Sequence, residues 1–153
     1  MISIKPTLLL AAALLAAFIS SPAHAQDGPQ GRLQTIELTA GMHVIRAELA
    51  ITPIQQQTGM MFRRSMGSNE AMLFVNDEAD KRCFWMRNTL LPLSVAFIAD
   101  DGSIVNVADM TPRSDESHCS DKPVRYALEM NLGWFAKRGL KAGSKLRGGP
   151  FGK

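Results

Sequence analysis

The segment CFWMRNT, residues 83–89, places aromatic, sulfur-containing and polar side chains next to one another. A strand that only filled a core would alternate apolar with polar residues, but neither face of this segment is apolar throughout. Such a mixture is typical of a surface where an apolar concavity meets a few polar groups. The alternative is a core strand whose polar side chains bond the nearby backbone. The residues of this segment that we predict to contact a ligand are Trp85, Met86, Asn88 and Thr89.

Glu129, in the segment YALEMN, is the acidic side chain that we consider as a candidate for acid/base chemistry. If this strand alternates, Glu129 shares a face with Ala127 and Asn131, and the carboxylate is either partly exposed or buried. A buried, ionised carboxylate needs a cation or several hydrogen bonds, and Arg87 is the cation that we expect to pair with it. Both interpretations stay open at this point.

Cys83 and Cys119 are the only two cysteines of the chain. An oxidising compartment favours their pairing, and a bridge across roughly 36 residues would contribute about 3 to 4 kcal/mol on the chain-entropy model. Two free thiols, or half of a metal site, are the alternatives. His118 adjoins Cys119, but sequence neighbours rarely aim at the same point and a disulfide would remove the thiolate, so we do not predict a thiol nucleophile.

Other reactive patterns are missing from the sequence. It contains no Gly-x-Ser-x-Gly, no His-Glu-x-x-His and no phosphate-binding glycine loop, so we predict no catalytic residue and no cofactor. The methionines, including Met60, Met61 and Met86, raise the alternative of a Cu(I) site near a histidine. The sequence has no Met-x-x-Met or Met-x-His motif, and methionine is a common core filler, so we predict no metal.

The first residues predict export. Lys5, the apolar run from residue 8 to 19 and the Ala-His-Ala sequence that ends at Ala25 form a secretory signal peptide, residues 1–25, cleaved after Ala25. The expected location is therefore the periplasm or the medium. No later apolar run is long enough to span a bilayer. We expect a disordered leader at 26–32, one domain at 33–149 and a tail at 150–153.

The charge pattern argues against nucleic-acid binding. The chain has 153 residues and a formal net charge of +3, and its basic residues are mixed with acids rather than gathered in one stripe. The partners that we expect are an unknown small molecule or an envelope protein, bound by a monomer.

The elements that would position these residues are mostly strands. Two antiparallel hairpins are predicted, over residues 33–49 and 93–107, with further strands at 72–75, 126–130 and 145–147. Thr52-Pro53 predicts the start of a helix over 53–61, and Gly139 would end a second over 132–138. The predicted fold class is α+β, a β-rich curved antiparallel sheet or small barrel with two short helices.

Five segments together resemble the domain-of-unknown-function 192 family, across residues 34–146. They are TPIQQQTGMMFR, AMLFV, FWMRNTLLPLSVAFI, DGSIV and ALEMNLGWFAKRGLKAG. The resemblance implies a compact β-rich α+β domain and no established reaction.

By this resemblance the matching functional candidates are Gly59, Met60, Met61, Trp85, Met86, Asn88, Thr89 and Glu129. The sequence departs from the family pattern at Ser94, where aspartate is more common, and at Met60, where leucine is usual. If the family used carboxylates at 94 and 129 for acid/base work, this chain would keep only Glu129. The departure therefore makes a hydrolase-like mechanism less favoured.

The function that these observations favour is a non-catalytic periplasmic binding or interaction module. Its predicted ligand-binding residues are Met61, Trp85, Met86, Asn88, Thr89 and Glu129. The first alternative is a small envelope-acting enzyme with Glu129 as acid or base. The second is a structural envelope accessory protein.

Overall fold

The computed structural model describes residues 28–152, and the predicted signal peptide lies outside the described residues. The strands are β1 (Thr35–Ala40), β2 (His43–Ala50), β3 (Glu70–Asp80), β4 (Cys83–Phe84), β5 (Leu93–Ile98), β6 (Ile104–Met110), β7 (His118–Cys119), β8 (Val124–Asn131) and β9 (Leu146–Arg147). The α-helix α1 spans Pro53–Thr58, and 3-10 turns span Ala136–Arg138 and Gly149–Phe151. Seven strands form one sheet in the order β6-β5-β8-β3-β2-β1-β9, while β4 and β7 form a separate ribbon.

Both predicted hairpins are confirmed, and β3 is longer than expected. β1 pairs with β2 and β5 with β6, each antiparallel. Residues 76–80 were predicted to be an irregular charged connection, but they continue β3 beyond Val75 through a register shift against β8. Charge at these positions is compatible with a strand because residues 77–80 are exposed.

The sheet is mixed rather than wholly antiparallel, which corrects the prediction. β2 and β3 run parallel, because α1 carries the chain across between them, and parallel neighbours require such a crossover. The start of α1 follows the sequence signal. Thr52 Oγ1 accepts the Gln55 N–H, and the Gln55 side chain accepts the Thr52 N–H in return, which completes a capping box.

Only one of the two predicted helices is an α-helix. Gly133, at φ 73, interrupts the helix predicted over 132–138, so this segment contains only the 3-10 turn Ala136–Arg138. The first helix ends at Thr58 rather than at residue 61, because Gly59 leaves the helical region at φ 48. Both differences arise from glycine conformations that apolar periodicity does not reveal.

The sheet curls into a half-barrel whose two edges meet at one corner. Ser103, just before β6, forms a β-bridge with Lys145, just before β9. The Ile104 N–H donates to the Ser144 carbonyl at 2.8 Å, and the Leu146 N–H donates to the Gly102 carbonyl at 2.9 Å. Closing this corner is what makes the concave face an enclosed core.

Both faces of the sheet are covered by apolar side chains. The concave cluster includes Leu38, Ile45, Leu128 and Trp134. The convex cluster, including Met72, Phe74, Val95 and Phe97, lies under α1 and the segments around residues 60 and 86. No helix within residues 28–152 combines the length and the apolar character needed to cross a bilayer.

The residues before β1 contact the convex side. Gln30 Nε2 donates to the carbonyls of Gln55 and Gly59, and Arg32 pairs with Glu48 and Glu70. The disorder predicted for residues 26–32 stays a prediction, and residues 26 and 27 lie outside the described part of the chain.

Candidate functional site

Glu129 lies in the middle of the sheet on its convex face. It pairs with Met72 on β3 and with Val95 on β5, both members of the convex cluster, and directly opposed residues share a face. Its side chain is buried, with 4% of the residue exposed. The sequence left exposure and burial open, and the structure shows burial.

A cavity of about 220 Å³ lies above Glu129. The end of α1 and the turn after it form one wall, and the segment 83–89 forms the other. The lining residues are Gln56, Gln57, Thr58, Gly59, Met60, Met61, Phe74, Cys83, Phe84, Trp85, Thr89 and Glu129. This set, the convex pocket, combines apolar walls with a few polar groups, the usual character of a small-molecule site.

Gly59 shapes the α1 wall of the convex pocket. Its backbone has φ 48 and ψ −130, a conformation essentially restricted to glycine. A Cβ at this position would lie 3.2 Å from the Phe74 ring, and so close an approach leaves little room. The sharp turn brings Met60 and Met61 over the cavity. The requirement for glycine here is therefore a backbone requirement.

Trp85 forms the opposite wall and is half-exposed, at 47%. The Arg87 guanidinium stacks 4.2 Å from its ring centroid, and Arg87 Nε donates to Asp115 Oδ1 at 2.8 Å. The Met86 N–H donates to the Ser114 carbonyl, which ties this wall to the loop before β7. The contact with Arg87, which is itself held by Asp115, thus fixes the position of the indole.

The prediction that Arg87 pairs with Glu129 is wrong. Arg87 is committed to Asp115 and Trp85, because residues 85–89 form a turn rather than a strand facing β8. The cation that acts on Glu129 is Arg63.

Glu129 has no hydrogen-bond partner for its Oε2 atom among residues 28–152. Burial raises the pKa of Glu129 from 4.5 to about 8, and the positive charge of Arg63 only partly opposes that rise. A carboxyl with such a pKa is mostly protonated at neutral pH, so the floor of the convex pocket carries a neutral acid.

Arg63 does not neutralise Glu129 because it is bound to Glu48. Its Nη1 and Nη2 atoms donate to Glu48 Oε1 and Oε2 at 2.6 and 2.8 Å, and Glu48 also accepts from Arg32 and from the Leu33 N–H. Burial opposes ionisation of Glu48, but these hydrogen bonds outweigh it and lower the pKa. Glu48 is a buried ion-pair centre that the sequence reasoning missed.

The structure brings four of the six predicted ligand-binding residues into the convex pocket: Met61, Trp85, Thr89 and Glu129. Met86 is fully buried in the convex cluster and does not line the cavity. Asn88 lies outside the lining, where its Nδ2 donates to Met61 Sδ at 3.8 Å and its carbonyl accepts the Phe62 N–H. Asn88 therefore stabilises the turn after α1, at Met61 and Phe62, and does not line the cavity itself.

The predicted disulfide is confirmed. Cys83 and Cys119 are bonded and face each other in the β4–β7 ribbon. Cys83 lines the convex pocket, and the adjacent Phe84 packs edge-on against Phe74 at 4.8 Å between ring centroids. The bridge therefore fixes one wall of the cavity to the chain around residue 119.

Ser94 cannot act together with Glu129. It pairs with Met130, which belongs to the concave cluster, and so lies on the opposite face of the sheet. Its Oγ donates to Asp109 Oδ1 at 2.5 Å and accepts the Gly133 N–H at 2.8 Å. The fold therefore gives no support to a carboxylate pair formed by positions 94 and 129.

These features define a small β-rich domain in which a curled mixed sheet carries a buried acid under a half-open aromatic pocket. The model of the DUF192 family, described as "Uncharacterized ACR", matches residues 35–148. The chain belongs to this family, as the resemblance in the sequence indicated.

Two crystal structures of bacterial proteins are similar to this chain. A protein of unknown function from Novosphingobium aromaticivorans DSM 12444 is 35% identical, with a TM-score of 0.71 over 89% of this chain and 99% of its own. A protein from Sinorhizobium meliloti 1021, described as a "putative transcription regulator", is 37% identical, with a TM-score of 0.68 over 72% of this chain and 88% of its own. No curated protein matches the sequence.

Proposed function

We propose that this protein is an exported, non-catalytic binding module of the periplasm that takes a small molecule in the convex pocket. The observation that carries the proposal is Glu129, a buried carboxyl whose Oε2 has no partner in residues 28–152 and which opens onto an aromatic cavity. Within residues 28–152, four buried side-chain nitrogen or oxygen atoms lack a partner, and Glu129 is the one residue among them that lines the convex pocket. A ligand that supplies the missing bond accounts for this one.

Export rests on two observations of different kinds. The sequence of residues 1–25 has the pattern of a signal peptide. The disulfide between Cys83 and Cys119 is of the kind that persists in an oxidising compartment. A nucleic-acid role is disfavoured because four of the basic side chains, at 32, 63, 87 and 145, are paired with acids.

The test is native mass spectrometry of the protein purified gently from the periplasm, together with two variants. We expect a retained small molecule that is lost in Trp85→Ala and kept in Leu132→Ala, whose side chain is apolar and similarly exposed, at 42%, but lies outside the pocket. Recovery of the protein only from the cytoplasm would contradict export. Equal retention by both variants would contradict the pocket assignment.

A second candidate function is supported by the raised pKa of Glu129. An acid that is still protonated at neutral pH can donate a proton in catalysis, as a general acid must. If the protein is such an enzyme, Glu129→Gln should lower turnover about 100-fold or more without changing the fold. Turnover that survives this substitution would exclude Glu129 as the acid.

A further inference from the structure

We propose that the ligand of the convex pocket is an organic amine, whose ammonium group pairs with Glu129 while its apolar body packs against Trp85 and Phe84. The inference rests on the proposed function and names the class of ligand that the same pocket would take.

The charges of the lining favour a cation. Among the twelve lining residues Glu129 is the only acid, and none is lysine, arginine or histidine. Arg63, whose positive charge acts on Glu129, has both terminal nitrogens hydrogen-bonded to Glu48. No cationic side chain lines the cavity to receive an anionic ligand, whereas an ammonium forms an ion pair with Glu129 once this carboxyl gives up its proton.

The walls offer aromatic and thioether groups, which also favour a cation. Phe74, Phe84 and Trp85 line the cavity, and aromatic faces attract ammonium groups. The Arg87 guanidinium lies 4.2 Å from the Trp85 ring centroid, so the indole already contacts one cation. Met60 and Met61 add polarisable sulfur.

The size of the cavity limits the ligand. Its volume of about 220 Å³ is below the ~300 to 1,000 Å³ of pockets that enclose drug-sized molecules. The occupant is therefore a small amine, or the amine-bearing end of a longer molecule that leaves the cavity past the exposed Trp85.

Binding releases one proton. Free Glu129 is mostly protonated at neutral pH, and pairing with R–NH3+ gives a carboxylate, R–NH3+ and one proton passed to solvent. Affinity for the amine should therefore rise with pH, by up to about tenfold per unit below the pKa of Glu129, and level off above it.

The experiment compares three probes of matched shape: 2-phenylethylamine, 2-phenylethanol and phenylacetate. Each is titrated into the purified full protein and followed by NMR shifts of the Trp85 indole and by calorimetry at pH 6, 7 and 8. We expect the amine to bind at least tenfold more tightly than the alcohol, the acetate not to bind, and proton release in calorimetry.

Glu129→Gln should abolish the preference for the amine, and the exposed acid Glu78 provides the control variant Glu78→Gln, which should keep it. Equal binding of amine and alcohol at Trp85, or tighter binding of phenylacetate, would overturn the amine assignment and leave the pocket in place. No shift at Trp85 with any probe at millimolar concentration would overturn the amine assignment. Loss of a natural ligand from Trp85→Ala, tested separately, decides whether the pocket itself stands.

Discussion

Glu48 and Glu129 lie on the same face of the sheet, on either side of Met72, and their pKa values are shifted in opposite directions. The register pairs Glu48 with Met72 and Met72 with Glu129. Two inter-strand spacings separate their backbones by about 9 to 10 Å. Glu48 accepts four hydrogen bonds and its pKa is lowered, whereas Glu129 is left without a counter-charge and its pKa is raised.

The pH dependence of stability should carry the signature of Glu129. Between pH 4.5 and about 8 the folded chain keeps a proton that the unfolded chain has released, so the free energy of unfolding falls as pH rises through this range. The loss is on the order of a few kcal/mol. Urea denaturation at pH 5, 7 and 9 should show a decline in the wild type that is much smaller in Glu129→Gln. A decline that is unchanged in this variant would contradict the burial of the acid.

Removing Arg63 should destabilise the fold strongly. Arg63→Met leaves Glu48 buried without its bidentate partner, and breaking such a pair costs about 3 to 5 kcal/mol. Glu48→Leu combined with Arg63→Met should cost less than Arg63→Met alone, because no uncompensated charge remains. Denaturation midpoints of the single and double variants test this difference, and a double variant that is less stable than both singles would argue against it.

Truncation of Met86 should lower stability far more than truncation of Trp85. Met86 is fully buried, so Met86→Ala should cost about 2 to 5 kcal/mol of stability. Trp85→Ala removes a half-exposed side chain and should change the denaturation midpoint much less while it weakens ligand binding. Unfolding of both variants to the same extent would indicate that Trp85 is a core residue instead.

Gly59→Ala should both strain the backbone and narrow the cavity. The positive φ costs about 1 to 3 kcal/mol for a residue with a Cβ, and the new methyl group would press on Phe74. Gly31→Ala is a suitable control, because a Cβ there meets nothing within 4 Å. Gly59→Ala should lower the midpoint of thermal unfolding and weaken probe binding, whereas Gly31→Ala should change neither.

Loss of the disulfide should lower stability and loosen one pocket wall. The bridge joins residues 36 apart, which predicts a loss of about 3 to 4 kcal/mol in the Cys83→Ser, Cys119→Ser double variant. Guanidinium denaturation with and without reductant measures it. Reductant should destabilise the wild type and leave the double variant unaffected.

The hairpins and the helix start were predictable because their signals are local. Asp101-Gly102 marks the turn between β5 and β6, and Thr52-Pro53 marks the first residues of α1. The parallel pairing of β2 with β3 was not predictable. The apolar pattern of a strand is the same in a parallel and an antiparallel pair, and the direction is set by where the crossover through α1 places β3.

The site was only half predictable for a related reason. Alternation assigned Met86 and Trp85 to opposite faces of a strand, but the strand ends at Phe84 and a turn closes with the Thr89 N–H on the Met86 carbonyl. Burial of Glu129 depends on α1 and residues 83–89, which lie far away in sequence. A period-two pattern shows which residues share a face but not what covers it.

The closed corner of the half-barrel also bears on solubility. Unpaired strand edges are templates for pairing between molecules, and here the bridge between Ser103 and Lys145 occupies both edges where they meet. Residues 144–147 thus shield the end of β1 and the start of β6 from neighbouring copies. A chain cut before Ser144 would expose both edges, and its main defect should be self-association into larger species.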